Sequence, residues 1–492
     1  MNTITLTIAG HTNAGKTALA RTLLGRDVGE VRDAPHVTDR VDTQTWVTVD
    51  GWRLQLADTP GLDSAPRLLG RLRHAGNPLG WFLRELWDRT TDPGFYHTQI
   101  ALRQVARETD VVLLVVDTAA LPDGPDETTR AELQLVALFG RPILIVLNQT
   151  GRPWTRDEQS RVEESWRRTV RDQTEVRGVT TLDAFTRAWV CELRLLDLIA
   201  PMLPADRREG LRMLARALEA RHADVFEKSM QAIASVLRDA AEDREQPARH
   251  GFVSNAGRVF KRIVSNKSED DEIEAMHARL QERLGQRYAR LVDRLIELHG
   301  LSGRSALREV ATGAADLVGG PRSRVLAREL AWAAAGGAGA GGAIDAAVGG
   351  ISFGAGMAFG AVVGALAAIG LGARDLSTRE DAKVGWRIDA VARHLVVCLR
   401  AYLCVAHYGR GQGTWRDHAG PAHWNELVES VLARRRDVLE RALAERGDAS
   451  SAEVMRSGAE VLTALYPEVA SGIDVLRAAR APSAEAALQS GL

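Results

Sequence analysis

A short apolar run, an eight-residue loop containing glycine and a helix-forming segment open the chain, and their order restricts the fold more than any other feature. Residues 3–9 read TITLTIA, residues 10–17 read GHTNAGKT, and the stretch from Thr17 to about Leu24 suits a helix. An apolar strand of this kind is typical of a buried parallel sheet. The loop fits the pattern G-x-x-x-x-G-K-[ST], in which backbone N–H groups and a helix N-terminus face phosphate oxygens. These residues therefore predict an α/β fold with a phosphate site after its first strand.

Further apolar or alternating runs extend the predicted sheet. They are TQTWVTVD (43–50), WRLQLAD (52–58), VVLLVVD (111–117) and PILIVLN (142–148). An Asp-Gly pair at 50–51 separates the first two, and such a pair between β-rich runs predicts an antiparallel hairpin. The other runs alternate with helical segments, which favours a mostly parallel sheet with helices on both faces and one antiparallel strand. Ligands bind such sheets at the carboxyl ends of the strands, where the motifs of this chain fall.

The groups that we assign to a nucleotide come from the glycine-containing loop and from the ends of later strands. They belong to Gly10, Asn13, Ala14, Gly15, Lys16, Thr17, Ala18, Asp58, Gly61, Asn148 and Gln149. Lys16 is placed to reach the β- and γ-phosphates of a triphosphate, and the Thr17 hydroxyl is placed to bind Mg²⁺. Asp58 ends a strand and begins the sequence DTPG, as a carboxylate that orients the magnesium ion should. We therefore expect a triphosphate and magnesium site at this edge of the sheet.

Catalysis is assigned to Lys16, Thr38 and Gly61. Gly61 is the last residue of DTPG, so its N–H can contact a γ-phosphate and move when that phosphate leaves. Thr38 lies in the loop between the two motifs, and its hydroxyl is our preferred further ligand to Mg²⁺. Thr43 and Thr45 are the alternatives for that ligand.

On these motifs, residues 1–200 resemble a TRAFAC-class GTPase of the TrmE–Era–EngA–septin-like group. The residues that carry the resemblance are Gly10, Asn13, Gly15, Lys16, Thr17, Thr38, Asp58, Thr59, Pro60, Gly61 and Asn148. The loop GHTNAGKT, the segment that begins LDAF at residue 182 and a Gly/Ala-rich tail further resemble bacterial predicted GTPases with an uncharacterised C-terminal domain. The resemblance implies GTP and GDP as ligands, Mg²⁺ as cofactor and hydrolysis of the γ-phosphate as the reaction.

One position changes the catalysis that the resemblance implies. Leu62 follows DTPG, where Ras-like enzymes place a water-positioning glutamine. Related families with a hydrophobic residue there use another device, such as a potassium ion held partly by the asparagine that corresponds to Asn13. An added cation beside the phosphates would offset charge in the transition state. We therefore expect slow hydrolysis that K⁺, dimerisation or a partner accelerates.

The motif that reads the base departs from the family pattern N-K-x-D, whose carboxylate accepts two hydrogen bonds from guanine. Residues 148–151 read NQTG, so the asparagine is kept, glutamine replaces lysine and glycine replaces aspartate. Loss of a charged bidentate acceptor lowers discrimination between bases unless another carboxylate substitutes, and Asp157 and Glu158 are near in sequence. GTP is favoured through the resemblance, while relaxed or ATP specificity remains an alternative. The same departures allow an alternative function, a nucleotide-dependent scaffold that does not hydrolyse its ligand.

The chain after residue 204 is predicted to be helical. The predicted parts are a P-loop domain (1–204), a helical, stalk-like region (205–300) and a helical domain (301–492). Residues 182–204 are expected to form a helix that closes the first part. Residues 273–298 carry apolar side chains at spacings of 3 or 4 after Ser268 and several acidic residues, which predicts a helix that begins at Ser268. That helix would face a core or, alternatively, a partner in a coiled coil.

Residues 331–373 form a Gly/Ala-rich tract in which Asp345 is the one charged residue. The uncharged run 346–373 is long enough to span a bilayer as one helix, and its small-x-x-x-small spacings let helices approach closely in lipid. Its low content of leucine and isoleucine makes insertion marginal. The alternatives are a stable membrane hairpin, a hairpin always buried in a soluble domain, and a buried element that nucleotide state releases toward a membrane. We favour the last.

Composition and termini narrow the choice of partners. A formal net charge of -1 gives no overall attraction to nucleic acid or anionic lipid. The sequence shows no recognisable RNA-binding module, so nucleic acid is the least favoured partner, and a homodimer or another protein is preferred. The first residues, MNTITLTIAG, do not resemble a signal peptide, so we expect a cytoplasmic protein that contacts the inner membrane through 331–373. The three cysteines lack metal-ligand spacing.

Overall fold

A computed structural model describes most of the chain. The described residues are 1–26, 41–72, 92–150, 154–245, 258–305, 376–378, 384–418, 420–445, 448–470 and 472–481. Three features that the sequence singled out lie outside these ranges, namely Thr38, Gly151 and the tract 331–373. The chain divides into two compact units, one of Met1–Asp224 with Ala406–Thr414 and the other of Val225–Val405 with Trp415–Leu492.

A six-stranded sheet forms the centre of the first unit. The elements in chain order are β1 (Asn2–Ala9), α1 (Lys16–Leu24), β2 (Asp42–Val49), β3 (Trp52–Asp58), α2 (Ala65–Leu72), α3 (Pro93–Glu108), β4 (Val111–Asp117), α4 (Glu127–Ala137), β5 (Ile143–Asn148), α5 (Arg156–Thr169), β6 (Val176–Thr181), α6 (Trp189–Ile199) and the start of α7 (Ala205–Glu242). The strands lie in the order β2-β3-β1-β4-β5-β6. β2 pairs antiparallel with β3, and the other neighbours are parallel. This is the predicted sheet with one antiparallel strand.

The hairpin predicted at Asp50-Gly51 is confirmed. Val49 pairs with Trp52 across the turn, and φ is 44° at Asp50 and 80° at Gly51. Positive φ at both central residues matches the twist of a two-residue hairpin, and Gly51 adopts it without steric cost. The local turn chemistry therefore sets the register of β3 and brings Asp58 to the carboxyl end of that strand.

The central strands are almost completely buried, as their apolar sequences predict. Every residue of β5 and all but the last residue of β4 are buried. Trp166 of α5 is fully buried against this core, and its indole N–H donates to the carbonyl of Leu121 at 3.2 Å. The edge strand β6, VRGVTT, is only partly buried and has no continuous apolar run. That composition explains why the sequence did not reveal β6.

The helix predicted over 182–204 begins later than expected. α6 starts at Trp189, and residues 182–188 form a loop. This loop is held to the end of β5, because Asp183 accepts from Thr150 and the N–H of Ala184 donates to the Asn148 side chain. Tertiary hydrogen bonds therefore replace the helical ones that the local sequence favoured.

The second unit is largely helical, as predicted. Its elements are the remainder of α7, β7 (Arg244–Glu245), α8 (Arg258–Leu298), β8 (Leu376–Thr378), β9 (Val384–Trp386), α9 (Ile388–Ala406), α10 (Ala422–Glu445), α11 (Asp448–Leu465), α12 (Pro467–Ala470) and α13 (Asp474–Arg480). A short antiparallel sheet of β7, β9 and β8 was not predicted. The apolar stripe of α8 is buried from Met276 to Leu295. The helix begins at Arg258, so the predicted start at Ser268 is wrong.

A segment from far along the chain belongs to the first unit. Residues 406–414 pack there, while the residues on both sides of them belong to the second unit. We call this segment the strap; it contains a 3-10 turn at Arg410–Gln412. No local sequence pattern predicted it. The three-part division into 1–204, 205–300 and 301–492 stays a prediction.

Within the described ranges, no helix combines the length and the apolar character that crossing a membrane requires. The membrane hypothesis for 331–373 therefore rests on sequence.

Candidate nucleotide-binding site

The glycine-containing loop passes very close to its neighbours at two positions. A Cβ on Gly10 would lie 2.2 Å from the carbonyl oxygen of Val115 in β4, and a Cβ on Gly15 would lie 2.4 Å from the Asn148 side-chain nitrogen. Both glycines also have positive φ, 140° and 82°. Only glycine satisfies these positions, since any other side chain would meet backbone or a buried amide. The loop is therefore held tightly against the ends of β4 and β5.

Lys16 lies at the start of α1 with only 7% of its surface exposed. Its ammonium group donates to the carbonyl of His11 at 2.6 Å. Burial lowers the pKa of Lys16, although the charges of Asp58, Glu132 and Asp63 act in the opposite direction. A buried ammonium at a helix N-terminus creates a strong local attraction for an anion.

Thr17 and Asp58 place a hydroxyl oxygen and a carboxylate side by side at the end of β3. The Thr17 hydroxyl donates to Asp58 Oδ2 at 2.5 Å. Asp58 is 5% exposed, and among the described residues its buried Oδ1 has no hydrogen-bond partner. Burial raises the pKa of Asp58 to about 6, against the lowering effects of the Thr17 hydrogen bond and the Lys16 charge. An unsatisfied carboxylate oxygen beside a hydroxyl fits Mg²⁺, which prefers oxygen ligands.

The residues after DTPG directly contact the glycine-containing loop 10–17, which we call the phosphate loop. The N–H of Leu62 donates to the carbonyl of Gly10 at 3.1 Å. Asp63 accepts from the Thr12 N–H at 2.9 Å and from the Thr12 hydroxyl at 2.5 Å. A Cβ on Gly61 would lie 2.1 Å from Thr12 Oγ1, so a larger residue at position 61 would clash with Thr12. The predicted switch glycine is thus held beside the phosphate loop.

An acidic pair that the sequence did not single out surrounds His11. Its Nδ1 lies 2.8 Å from Glu132 Oε1 and 3.4 Å from Asp63 Oδ1. The hydrogen bond to Glu132 raises the pKa of His11, while partial burial lowers it. Glu132 is 1% exposed on α4, and burial raises its pKa. Glu132 comes three and four residues before the apolar Leu135 and Val136, and this helical spacing was the sequence signal that could have revealed it.

Asn148 and Gln149 connect the end of β5 to the phosphate loop. Asn148 is fully buried, donates to the carbonyl of Ala14 at 2.7 Å and accepts from the N–H of Ala184 at 2.8 Å. Gln149 has a φ of 56°, and its side-chain amide donates to the carbonyl of Asn13 at 2.6 Å. The glutamine that replaces the motif's lysine therefore ties strand end and loop together.

Asp183 lies beside this strand end on the loop after β6. Its Oδ2 accepts from the N–H of Thr150 at 2.8 Å and from the Thr150 hydroxyl, and its Oδ1 accepts from the N–H of Phe185 at 2.8 Å. Asp157 and Glu158, the two carboxylates that sequence proximity suggested as substitutes for the motif's aspartate, lie instead in the first turn of α5. Glu158 forms a capping box with Thr155 at the start of α5, and Asp157 is exposed in the same first turn.

The strap forms hydrogen bonds to the loop that carries Asp183. The N–H of Gly411 donates to the carbonyl of Ala184 at 3.1 Å, and the N–H of Gly409 donates to the carbonyl of Phe185 at 3.2 Å. Thr22 of α1 accepts from the N–H of Arg410 at 3.0 Å and donates to Ala184 at 2.8 Å. Residues that are distant in sequence therefore fix the loop that carries Asp183.

In the described part of the chain, the fold brings together most of the residues that we assigned to nucleotide binding. Their roles as ligands remain predictions. Loop 10–18, Asp58, Gly61 and residues 148–149 lie around the carboxyl ends of β1, β3 and β5. Thr43 and Thr45, the alternatives to Thr38, pair with Ala57 and Gln55 in the β2–β3 hairpin.

Two family models match the chain. The model described as 50S ribosome-binding GTPase matches residues 5–149. The model described as domain of unknown function DUF3482 matches residues 168–487, which is more than half of the chain. No curated protein matches it.

Among solved structures, the chain is similar to Era and to a bacterial selenocysteine-specific elongation factor, EF-Sec. A variant of Aquifex aeolicus Era bound to GDP and AlF4⁻, and Era in complex with MgGDPNP and nucleotides 1506–1542 of 16S ribosomal RNA, are each 18% identical to it. Each match covers 42% of this chain and 58% of the Era chain, with a TM-score of 0.32. EF-Sec is 15% identical, with 44% of this chain and 29% of that chain covered and a TM-score of 0.25.

Proposed function

The chain belongs to the DUF3482 family, here joined to a P-loop GTPase domain, and we propose that it is a GTP-hydrolysing molecular switch. The observation that carries the proposal is the meeting of Lys16, Thr17 and Asp58. A buried ammonium, a hydroxyl and a carboxylate 2.5 Å from that hydroxyl lie together at the N-terminus of α1. Phosphate oxygens and Mg²⁺ are the ligands whose charges this set would satisfy.

In the proposed reaction, the chain holds the triphosphate and stabilises the charge that develops on it. Backbone N–H groups of the phosphate loop and the Lys16 ammonium face the phosphate oxygens. Thr17 and Asp58 would hold Mg²⁺, with Thr38 as the proposed further ligand, and a bound ion would supply positive charge to the phosphate oxygens. Loss of the γ-phosphate releases Thr38 and Gly61, and this release is the proposed switch.

Hydrolysis is proposed to be slow without an activator. Leu62 occupies the position of the water-positioning glutamine, and its side chain is fully buried and apolar, so it can neither orient nor activate water. Asn13 has a φ of 65° and an exposed side chain at the rim of the phosphate loop. We propose that this side chain is a ligand of K⁺ during catalysis, which would add positive charge where Leu62 adds none.

Single-turnover hydrolysis of GTP tests this function. Wild-type protein is expected to bind GTP and GDP and to convert GTP to GDP, faster in K⁺ than in Na⁺. Lys16→Ala is expected to lose triphosphate binding and turnover together, and Lys228→Ala, which changes an exposed lysine of α7, should alter neither. GDP and GTP binding without any conversion to GDP would favour the alternative, a non-hydrolysing scaffold. Rapid turnover by monomeric protein without K⁺ would contradict the proposed need for an activator.

We further propose that nucleotide state controls the C-terminal helical region. The strap supports this proposal, because residues 406–414 bond to Thr22 of α1 and to the loop at 184–185, while the chain on both sides belongs to the second unit. A change at the nucleotide that moves this loop would therefore be passed to α9 and to the chain after residue 414. A homodimer or another protein is the proposed partner.

The proposed output is contact with the inner membrane, from the cytoplasm, through the tract 331–373. Its glycine-rich sequence, which carries no charge from residue 346 to residue 373, supports this step. Flotation of the full chain with liposomes is expected to be stronger with a non-hydrolysable GTP analogue than with GDP. Deletion of 331–373, or the milder Met357→Glu, should abolish flotation while GDP binding is kept. Equal flotation by all variants would contradict the proposal.

A further inference from the structure

The base-reading motif of this chain keeps its structural contacts and lacks its acceptor. Asn148 and Gln149 bond to the carbonyls of Ala14 and Asn13 in the phosphate loop, so the end of β5 is positioned as a base site requires. The place of the aspartate is taken by Gly151, which has no side chain to offer. A guanine-binding protein with these residues needs a carboxylate from elsewhere in the fold.

One carboxylate is bonded to the residue that precedes Gly151. Asp183 Oδ2 accepts both the N–H and the hydroxyl of Thr150, which places the carboxylate beside the residue that comes directly before Gly151 in the sequence. The next residue, Ala184, donates to the Asn148 side chain at 2.8 Å. Because Asn148 also bonds to Ala14, the Asp183 loop, the end of β5 and the phosphate loop form one connected set.

The Asp183 carboxylate retains capacity to accept hydrogen bonds. It is 6% exposed, and within the described ranges it accepts three hydrogen bonds and forms no ion pair. A carboxylate has about four lone-pair sites, so Oδ1, which accepts from the Phe185 N–H and from no other described residue, has one left. The Thr150 hydroxyl can rotate away and release a second site on Oδ2. Two donors from a base can therefore be accommodated without breaking a backbone hydrogen bond.

We propose that Asp183 reads guanine in place of the missing aspartate. Guanine presents its N1–H and its 2-amino group on one edge, and a carboxylate can accept one hydrogen bond from each through its two oxygens. Adenine has no N1–H and no 2-amino group, so it would leave the carboxylate unpaired. The inference rests on the proposed nucleotide site and adds the residue that selects the base.

The carboxylates that sequence proximity suggested are less suited to this role. Glu158 accepts from the Thr155 N–H at 2.8 Å and so caps α5. Asp157 is exposed at the start of the same helix, and a well-hydrated carboxylate discriminates weakly between bases. These two residues therefore serve as matched controls for Asp183.

Competition between GDP, XDP, IDP and ADP at the full-length protein tests the proposal, because diphosphates bind without being consumed. Wild type is expected to prefer GDP. Asp183→Asn keeps one acceptor and gains one donor, which complements the N1–H and the 2-carbonyl of xanthine. The variant should therefore bind GDP at least about tenfold more weakly and XDP at least about tenfold more tightly than wild type. Asp157→Asn and Glu158→Gln should keep the wild-type preference.

Several results would overturn the proposal. These are an unchanged ratio of GDP to XDP affinity in folded Asp183→Asn, a switch toward XDP in Asp157→Asn instead, and equal binding of GDP and ADP by wild type. If wild type binds no nucleotide at all, the proposed function itself fails, and this outcome is distinct because no preference can then be measured for any variant.

A second variant decides the question if Asp183→Asn does not fold. Thr150→Val removes the hydroxyl that competes with the base for Asp183 but keeps the backbone N–H. If Asp183 binds guanine, GDP affinity in this variant should equal or exceed that of wild type. If Asp183 only braces the loop, loss of the Thr150 hydroxyl should weaken GDP and XDP binding alike, and that result would overturn the proposal.

Discussion

The Thr17 hydroxyl donates to Asp58 Oδ2 at 2.5 Å, and this contact joins the second residue of α1 to the end of β3. Burial raises the pKa of the Asp58 carboxyl group to about 6. The folded chain therefore binds a proton at Asp58 more readily than the unfolded chain does. Without Mg²⁺, this residue should make the free energy of unfolding fall as pH rises from about 4 to about 6.

Asp58→Asn should remove that pH dependence. At pH 7.5, without nucleotide and Mg²⁺, the variant is expected to be more stable than wild type by up to about 3 kcal/mol, because it no longer buries an ionised carboxylate. The same variant should lose Mg²⁺-dependent GDP binding. Urea denaturation as a function of pH and GDP titration with and without Mg²⁺ measure the two effects.

Asp63→Asn is the matched control for Asp58→Asn. Burial tends to raise the pKa of Asp63, but hydrogen bonds from Thr12 and the nearby charges of His11 and Lys16 lower it overall. The ionised Asp63 therefore stabilises the fold, and its amide variant should be less stable than wild type at pH 7.5. If both variants shift stability in the same direction, the assigned signs are wrong.

Glu132 is expected to control the charge of His11. The hydrogen bond from His11 to Glu132, at 2.8 Å, raises the pKa of the imidazole. This contact stabilises the fold below about pH 6.5 and loses its effect as pH rises through the raised pKa. In Glu132→Gln the His11 pKa should fall, as measured by NMR titration of the ring protons. Glu127→Gln, which changes an exposed residue of α4, should leave it unchanged; an equal value in all three proteins would refute the coupling.

Local patterns were sufficient to predict five of the six strands of the sheet and the glycine-containing loop after β1. The apolar run of β4, the Asp50-Gly51 turn and the loop GHTNAGKT each depend on residues close together in sequence, so their chemistry can be read without the fold. The same is true of Asp58, because DTPG follows an apolar strand directly. β6 was missed since an edge strand needs no continuous apolar run.

The groups that we propose to contact the base could not be predicted in this way, because they meet through tertiary contacts. Thr150 and Asp183 are separated by 33 positions, and Thr22 and Arg410 by 388. Sequence proximity suggested Asp157 and Glu158 instead, which form part of a helix start. The segment LDAF carries part of the family resemblance, but its sequence gives no sign that Asp183 bonds to Thr150.

Arg187, Glu192 and His222 form a buried charge cluster in the first unit. We expect this cluster to make the largest contribution to the loss of the unit's stability as pH falls. Glu192 accepts from Arg187 at 2.6 Å and lies 3.1 Å from His222. Burial tends to raise its pKa, but the Arg187 and His222 contacts lower it to about 2. Arg187 carries the positive charge, since burial lowers the pKa of His222. The stabilisation is complete above about pH 4.5 and is lost as pH falls toward 2.

Glu192→Gln should therefore lower the free energy of unfolding at pH 7 by about 3–5 kcal/mol, because Arg187 would remain buried without its partner. The difference from wild type should shrink below pH 4.5. Glu209→Gln disrupts an exposed pair with Arg212, and should cost less than about 1 kcal/mol. Urea denaturation of the three proteins from pH 3 to 8 measures this, and similar costs for both variants would show that Glu192 is not specially important.

Gly409 should couple the strap to the nucleotide site. A Cβ at this position would lie 2.1 Å from the carbonyl oxygen of Ala184, so Gly409→Ala must displace the strap or the loop that bonds to Asn148. We expect a loss of about 1–3 kcal/mol in stability from this overpacking and faster release of GDP. Gly285→Ala, in α8 with nothing within 4 Å of its Cβ, should change stability by no more than about 1 kcal/mol and leave GDP release unaltered. Chemical denaturation and a chase of fluorescent GDP measure both effects. Equal GDP release from Gly409→Ala and wild type would show that the strap does not reach the nucleotide.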